Sequence, residues 1–476
     1  MSYFFLVSLV VLFFFYSLEK SIAIERHHDV HHYVVHIKSL LPSSSCNTST
    51  KGPKRKASLD VVHKHGPCSL LNNNNGKSRT LPTQSNILDL DKERVNYIHS
   101  KLLLSNNNKI DQKLASSANL TVKPGYLIGS ANYFVIVGLG TPKRDLSLVF
   151  DTGSDLTWTQ CQPCALSCYK QQDDIFDPSM STSYSNITCT SSDCTQIYSA
   201  TGIDPCCARL TNACVYKIQY GDKSFSEGYF SQERLTITPT DAIDNFLFGC
   251  GQNNRGLFNG SAGLLGLGRH PISFIEQTSQ IYNKTFSYCL PSTFSDVGYL
   301  TFGAANNSDV KYTPFSTISN HNSFYGLDIV GISVGGVQIP FLSSIFASGG
   351  AIIDSGTVIT RLPPTVYASL RDSFRKRMTK YTVASTLSIL DTCYDLSGNN
   401  MISIPKIRFF FSGGVTVELA ALGILYLESS KQVCLAFAAN EDDSDITIFG
   451  NVQQRTLEIV YDVGRGKIGF GSNGCK

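Results

Sequence analysis

Two similar tetrapeptides constrain the fold of this 476-residue chain more than any other feature. Each follows a short apolar run, so each is predicted to be a tight turn that presents a carboxylate at the end of a buried strand. One copy alone would be an ordinary turn, because Asp, Thr, Gly and Ser all favour turns. Their repetition 203 residues apart, with similar apolar-Gly segments at 262–268 and 446–451, indicates two related lobes. The tetrapeptides are Asp151-Thr152-Gly153-Ser154 and Asp354-Ser355-Gly356-Thr357.

The chemistry of such a pair follows from electrostatics. Two carboxylates about 3 Å apart cannot both be ionised, so one keeps a proton. The protonated group then acts as a general acid while the charged group activates a water. The sequence therefore predicts acid–base hydrolysis by Asp151 and Asp354, with no metal, cofactor or covalent nucleophile.

The composition favours a mainly β protein. Apolar residues make up 42% of the chain, and short Val/Ile/Tyr/Phe segments are separated by Gly, Asn and Ser. The clearest helix is predicted over residues 364–378, where apolar residues recur at helical spacing. A second helix is predicted over residues 88–104.

Several further motifs specify a family. They are the segment 132–142 before the first Asp turn, Trp158 seven residues after that Asp, the segment 220–225, and the segments 449–455 and 461–462 near the end. With these motifs, essentially the whole chain resembles the pepsin-like aspartic proteases. It most resembles the plant nepenthesin-type branch, with the related nucleoid DNA-binding proteases.

The resemblance implies a bilobal acid protease fold, with the active-site cleft between two related β-rich lobes. It implies catalysis by Asp151 and Asp354, with Thr152 and Ser355 bonded across the lobe junction. It also implies that Ser154 and Thr357 donate hydrogen bonds to the outer carboxylate oxygens, beside Gly153 and Gly356.

Tyr220 and Gly221 are expected at the tip of a flap over the substrate, with Trp158 beneath Tyr220. Without the repeat, both aromatic residues would be assigned to the core. The repeat reverses that preference for Tyr220.

The first part of the chain has the composition of targeting and leader sequence. Residues 1–23 are predicted to be a signal peptide. The usual positive n-region is lacking, so an uncleaved anchor is the alternative, although the apolar stretch of residues 3–18 is short for a membrane span. Residues 24–115, here called the leader segment, are predicted to be a propeptide. Residues 116–320 would form the N-terminal lobe with the disulfide-rich insertion and flap, and residues 321–476 the C-terminal lobe.

Charge and histidine divide at the same boundary. Residues 1–115 carry 15 Lys and Arg against 8 Asp and Glu, whereas the remainder carries 25 against 29. Eight of the ten His also precede residue 116, so we expect acid to protonate carboxylates and His and to weaken the attachment of the leader segment. A His-rich leader without a switching role is the alternative. The eight are His27, His28, His31, His32, His36, His63, His65 and His99.

The sequence allows two other functional classes. A basic cluster in the leader segment could let the precursor bind DNA, although the acidic remainder would repel phosphate. An inactive decoy is disfavoured, because both Asp turns are intact. The cluster consists of Lys51, Lys54, Arg55 and Lys56.

Cysteine usage indicates a disulfide framework in a secretory protein. Cys161-Gln-Pro-Cys164 could suggest zinc or redox chemistry, but no second such motif occurs. The family pattern has a single Cys where this chain has Cys206 and Cys207, and the sequence leaves open which of them pairs. The candidates for pairing are Cys161, Cys164, Cys168, Cys189, Cys194, Cys206, Cys207, Cys214, Cys250, Cys289, Cys393, Cys434 and Cys475.

Glycosylation sequons agree with a secretory route. We expect a monomer without a membrane anchor that acts on proteins or peptides and is inhibited by pepstatin-like compounds. The expected location is the apoplast or cell wall, with the vacuole or plastid as alternatives. The sequons of the expected mature part are Asn186, Asn259, Asn283 and Asn306, and two others are Asn47 and Asn119.

Overall fold

The computed structural model describes residues 31–48, 57–72, 83–106, 133–220, 223–256, 258, 260–303, 309–316, 323–342 and 344–475. Within those ranges no helix is both long and apolar enough to cross a membrane. The predicted signal peptide, residues 1–23, lies outside the described residues, as do His27, His28, the basic cluster, Asn119, Gly221, Asn259 and Asn306.

Strands dominate the described residues, as the composition predicts. The first fifteen strands are β1 His32–His36, β2 Ala57–His63, β3 Tyr133–Leu139, β4 Arg144–Asp151, β5 Trp158–Gln160, β6 Ser185–Asn186, β7 Cys206–Cys207, β8 Cys214–Gln219, β9 Phe225–Thr238, β10 Asp241–Arg255, β11 Gly263–Gly266, β12 Thr285–Cys289, β13 Val297–Phe302, β14 Lys311–Pro314 and β15 Tyr325–Leu327. The others are β16 Ile329–Val334, β17 Val337–Gln338, β18 Ala351–Ile353, β19 Thr360–Leu362, β20 Thr382–Ala384, β21 Cys393–Asp395, β22 Met401–Pro405, β23 Ile407–Phe411, β24 Val415–Glu418, β25 Leu425–Leu427, β26 Gln432–Leu435, β27 Phe437–Ala439, β28 Thr447–Phe449, β29 Glu458–Asp462 and β30 Lys467–Gly471.

The helices of the described residues are few and mostly short. They are α1 Ile37–Leu40, α2 Gln84–Asn106, α3 Ser192–Thr201, α4 Phe274–Gln277, α5 Ser279–Tyr282, α6 Ile345–Gly349, α7 Pro364–Arg375, α8 Ala421–Ile424 and α9 Asn451–Gln454. Single 3₁₀ turns occur at Leu70–Asn72, Pro178–Met180, Ser412–Gly414 and Val463–Arg465. Helices α2 and α7 are the two that the sequence predicted.

The strands form one large sheet and four smaller ones. The large sheet runs β14-β30-β29-β12-β13-β2-β3-β4-β11-β5-β10-β9-β8-β7, with β6 paired to β9. The smaller sheets are β15-β18-β28-β19-β27, β17-β16-β23-β24, β20-β21-β26-β25 and β1-β22. The last two strands of the chain therefore join the large sheet rather than the smaller ones.

The internal repeat is visible in strand pairing. In the first copy, β11 runs parallel to β4 and antiparallel to β5, which runs parallel to β10. In the second copy, β28 runs parallel to β18 and antiparallel to β19, which runs parallel to β27. Each predicted Asp turn thus follows a strand that pairs with one of the predicted apolar-Gly segments.

The leader segment forms part of this architecture. Strand β2 pairs along six residues with β13 and at two positions with β3, so it lies inside the large sheet. Strand β1 pairs along its full length with β22.

Helix α2 has a capped start and one buried face. The Thr83 hydroxyl accepts a hydrogen bond from the Asn86 backbone N–H, and the Thr83 N–H donates to the Asn86 side chain, as in a capping box. The buried apolar residues recur at helical spacing, so the helix packs against the rest of the protein from Ile87 to Leu102. They are Ile87, Leu88, Leu90, Val95, Ile98 and Leu102.

Seven disulfides link fourteen of the fifteen cysteines. Cys207 pairs with Cys189, which leaves Cys206 free and exposed and settles the pairing that the sequence left open. Cys161 pairs with Cys250, so the Cys-Gln-Pro-Cys motif is split between two different disulfides. The other pairs are Cys46–Cys68, Cys164–Cys168, Cys194–Cys214, Cys289–Cys475 and Cys393–Cys434.

This pairing makes a testable prediction. The native, unreduced protein should react with one equivalent of a thiol reagent, and the labelled peptide should contain Cys206, because the other cysteines are in disulfides. Mass spectrometry of the digested adduct measures this. Cys206→Ser should abolish labelling, whereas label on Cys207 would contradict the pairing.

Candidate active site

The two Asp turns lie against each other. Asp151 ends β4, and Asp354 follows β18 directly. The Thr152 N–H donates to the Ser355 hydroxyl at 3.1 Å, and the Ser355 N–H donates to the Thr152 hydroxyl at 2.9 Å. This reciprocal pair of hydrogen bonds is the cross-junction contact that the family resemblance implied.

The two glycines of the turns allow this close approach. A Cβ on Gly153 would lie 2.8 Å from Oδ1 of Asp354, and one on Gly356 would lie 2.6 Å from Oδ1 of Asp151. Neither glycine has a positive φ, so proximity rather than backbone conformation requires them. Each glycine N–H also donates to the carboxylate of its own turn, at 3.0 Å and 3.1 Å respectively.

The two flanking hydroxyls differ. The Thr357 hydroxyl donates to Oδ2 of Asp354 at 2.6 Å, as expected. The Ser154 hydroxyl is buried beside Asp151 and helps to lower the pKa of that carboxyl group, although it makes no hydrogen bond of ordinary geometry among the described residues. The hydrogen bond expected of Ser154 stays a prediction. Arg94 also donates to both oxygens of Asp151, at 2.7 Å and 3.3 Å.

Arg94 projects from α2 of the leader segment between the two carboxylates. Its Nη2 lies 2.7 Å from Oδ1 of Asp151 and 2.9 Å from Oδ2 of Asp354, and its Nε donates to Asp354 at 3.0 Å. A single nitrogen therefore contacts both carboxylates, which places the two groups face to face. The guanidinium occupies the position where a water or substrate would have to react.

The pKa values of the two carboxyl groups are split. Burial would raise the pKa of Asp151, but the Arg94 charge and hydrogen bonds outweigh it and hold that pKa below its ordinary value. Burial raises the pKa of Asp354, and the adjacent Asp151 charge raises it further against the opposing effect of Arg94. Burial would also lower the pKa of Arg94, but the two carboxylates raise it overall, so Arg94 remains charged.

One helical turn before Arg94, Asp91 makes a second set of contacts. Its carboxylate accepts from the backbone N–H groups of Val358 and Ile359, at 2.6 Å and 3.1 Å. It also pairs with Arg361 at 2.9 Å, and both side chains are buried. The leader segment thus holds the second Asp turn at two successive points.

Tyr220, which the sequence predicts at the tip of a flap, lies near Asp151. The Trp158 indole N–H donates to the Tyr220 hydroxyl at 2.7 Å, which joins the two aromatic residues that the sequence paired. Phe258 contacts both rings edge-on, at 4.9 Å from Trp158 and 6.0 Å from Tyr220. Trp158 is fully buried, so it is a core residue as well as the hydrogen-bond partner of Tyr220.

The sequence analysis did not identify Arg94, Asp91 or Arg361 as site residues. A signal was present, because Asp91 and Arg94 fall on the same helical face as Leu88, Val95 and Ile98. Charges within an apolar stripe indicate buried ionic partners. Among the residues that the structure describes, no group of three or more His, Cys, Asp or Glu side chains is arranged to hold a metal ion.

Comparison with known proteins agrees with this geometry. The chain matches the family model described as xylanase inhibitor N-terminal over residues 133–304, and xylanase inhibitor C-terminal over residues 324–472. It is 56% identical to an aspartyl protease family protein of Arabidopsis thaliana, over 95% of this chain and 94% of that one. It is 36% identical to aspartic proteinase nepenthesin-1 of Nepenthes gracilis, over 74% of this chain and 80% of that one.

Among solved structures, that of edgp has a TM-score of 0.59 at 16% identity and covers 72% of this chain and 91% of its own. That likeness concerns the fold alone and agrees with the predicted mainly β, bilobal architecture. The family assignment rests on the proteins of similar sequence and on the family models. The chain belongs to the nepenthesin-type branch of the pepsin-like aspartic proteases and is an aspartic-type endopeptidase.

Proposed function

We propose that this protease is secreted as a zymogen, that residues 24–115 are its propeptide, and that it hydrolyses proteins at acidic pH through Asp151 and Asp354. The observation that carries the proposal is the Arg94 guanidinium between the two carboxylates. Substrate cannot reach the carboxylates while Arg94 is there, so activity requires that α2 leave. Secretion to the apoplast or cell wall is supported by the seven disulfides, and the vacuole or plastid are alternative destinations.

Once Arg94 has left, the two aspartates share one proton, as in other aspartic proteases. The charged carboxylate takes a proton from a bound water, and the water oxygen attacks the peptide carbonyl carbon. The protonated carboxyl gives its proton to the carbonyl oxygen. Breakdown of the tetrahedral intermediate passes a proton to the departing nitrogen and cleaves the C–N bond. Thr357 and the two glycine N–H groups hold the carboxylates in place.

Acid should weaken the attachment of the leader segment through Arg94. The Arg94 charge lowers the pKa of both carboxyl groups relative to the same pair without it. The docked state therefore binds fewer protons than the released state, so its stability is present at higher pH and is lost as pH falls. The sequence analysis attributed the acid sensitivity to the overall charge of the leader segment. The ion pairs of Arg94 with the two carboxylates offer a more specific cause.

His63 supplies a second acid-sensitive contact. It ends β2, is stacked on Phe294 at 3.7 Å, and contacts the Tyr133 ring edge-on at 5.2 Å. Burial lowers its pKa well below the ordinary value, and the charges of His65, Arg455 and Lys64 lower it further. A His whose folded pKa is lowered is protonated preferentially in the released state, so docking weakens as pH falls below about 6.5.

The DNA-binding alternative gains no support from the described residues. Its basic cluster, at 51–56, lies outside them.

Replacement of either aspartate tests the catalytic assignment. Asp151→Asn and Asp354→Asn should each lower cleavage of denatured protein at acidic pH by roughly a thousandfold, because one proton-transfer group is lost. The matched control is Asp145→Asn, an exposed carboxylate on the same strand as Asp151. The control should retain pepstatin-sensitive cleavage, and cleavage that survives either active-site substitution would contradict the mechanism.

Replacement of Arg94 tests the zymogen contact. Arg94→Met should move the midpoint pH of conversion upward by about one unit, because the docked state loses its ion pairs with both carboxylates. Gel analysis of the full chain incubated across pH measures the midpoint. Lys92→Met, an exposed neighbour on α2, should convert like the wild type. An equal midpoint for the two variants would show that Arg94 does not hold the zymogen closed.

Replacement of His63 tests the second acid-sensitive contact, and the expected shift of the conversion midpoint is opposite to that for Arg94→Met. His63→Phe keeps the ring stack but cannot gain charge, so its conversion midpoint should move to lower pH. His36→Phe, at an exposed position in β1, is the matched control and should leave the midpoint in place. A shift to higher pH for His63→Phe would contradict the assigned role.

A further inference from the structure

Arg361 is a buried cation close in sequence to the second Asp turn, and the catalytic mechanism does not use it. It lies on β19, seven residues after Asp354, and only 3% of its side chain is exposed. Its Nη1 donates to the Ile359 carbonyl at 3.1 Å, which fixes the guanidinium. Its Nη2 contacts Asp91 at 2.9 Å, and Asp91 is its only ion-pair partner among the described residues.

Three groups converge on the Asp91 carboxylate. They are the Arg361 guanidinium and the backbone N–H groups of Val358 and Ile359, at 2.9, 2.6 and 3.1 Å. Both carboxylate oxygens are bonded, and the side chain of Asp91 is fully buried. All three donors belong to the segment that follows the second Asp turn. Together they form a carboxylate receptor, defined here as Arg361 with the N–H groups of Val358 and Ile359.

We propose that in the mature enzyme this receptor binds an acidic side chain of the substrate and thereby selects Asp or Glu close to the cleaved bond. The inference rests on the proposed function, because the receptor is vacated only if the leader segment is removed. An unpaired buried guanidinium is strongly unfavourable, and a substrate carboxylate restores the charge balance that Asp91 provides. Arg also suits this task, since its planar donor groups match a carboxylate.

The spacing on α2 limits where the acidic residue would lie. Asp91 precedes Arg94 by three residues, which corresponds to about 4.5 Å along a helix axis at about 1.5 Å per residue. An extended substrate advances about 3.3 Å per residue. Since Arg94 marks the position of the reacting groups, the receptor is one or two substrate residues away from the cleaved bond.

Paired peptides test the inference. Mature enzyme, made by acid conversion of the full chain, is given internally quenched peptides that differ only in Asp against Asn at each of three positions on either side of the cleaved bond. At about pH 5 the Asp side chain is ionised. At one position within two residues of the cleaved bond, we expect kcat/KM to be at least about tenfold higher for Asp than for Asn.

The same ratio in variants assigns the effect to Arg361. Arg361→Met should bring the Asp-to-Asn ratio to about one, and Arg361→Lys should keep part of the preference because it keeps the charge. Arg371→Met, on α7, is the matched control and should show the wild-type ratio. Since Arg361→Met leaves Asp91 without its cation in the precursor, Asp91→Asn/Arg361→Met is prepared beside it to preserve folding.

The outcomes separate the two proposals. Equal kcat/KM for Asp and Asn at all six positions in the wild type would overturn the receptor while leaving the protease intact. A preference that persists at the wild-type level in Arg361→Met, or in Asp91→Asn/Arg361→Met, would also overturn it. If the wild type cleaves none of the peptides and no denatured protein, the proposed function fails, and the inference fails with it.

Discussion

Two carboxylates held face to face need either a shared proton or a cation between them, and the rest of this site is arranged around that requirement. The reciprocal Thr152–Ser355 hydrogen bonds and the two glycines bring the turns together. Their proximity would leave a full double negative charge strongly unfavourable in a buried site. In this structure Arg94 supplies the compensating charge. In the open enzyme that we propose, a shared proton does the same, so under that proposal acid and the leader segment compete to balance the charge of the two carboxylates.

Helix α2 packs against the rest of the protein from Ile87 to Leu102 rather than at one residue. It places a cation on the catalytic pair and a carboxylate on the receptor of Arg361, while its apolar face covers the surface between and beyond them. Val95, Ile98 and Leu102 pack with Phe324, Ile352 and Ile448. Charge complementarity fixes the register of the helix, because a shift by one residue would turn both charged side chains away from their partners. The buried apolar side chains provide most of the contact surface of α2, and the ion pairs of Asp91 and Arg94 determine where along the chain that contact forms.

The sequence was sufficient for the repeated turns, the pairing of Trp158 with Tyr220, and the two longer predicted helices. These features depend on local patterns that occur twice, or on helical spacing within a single segment. Contacts between segments that are far apart in the chain could not be predicted from such local patterns. Arg94 and Asp354 are 260 residues apart, and the sequence around either residue does not indicate that the two are in contact. The pairing of Cys207 rather than Cys206 likewise depends on which side chain of β7 faces Cys189, and that is a property of the assembled sheet.

The position of strand β2 bears on the order of folding and of the proposed removal of the leader segment. It lies between β13 and β3, so the largest sheet is completed by residues that the proposed maturation removes. A polypeptide that began after residue 115 would have to assemble that sheet with an internal strand missing and two ladders of backbone groups unpaired. Under the proposed maturation, the leader segment therefore contributes to the assembly of the large sheet as well as covering the carboxylates. In that scheme the sheet assembles before residues 24–115 are removed.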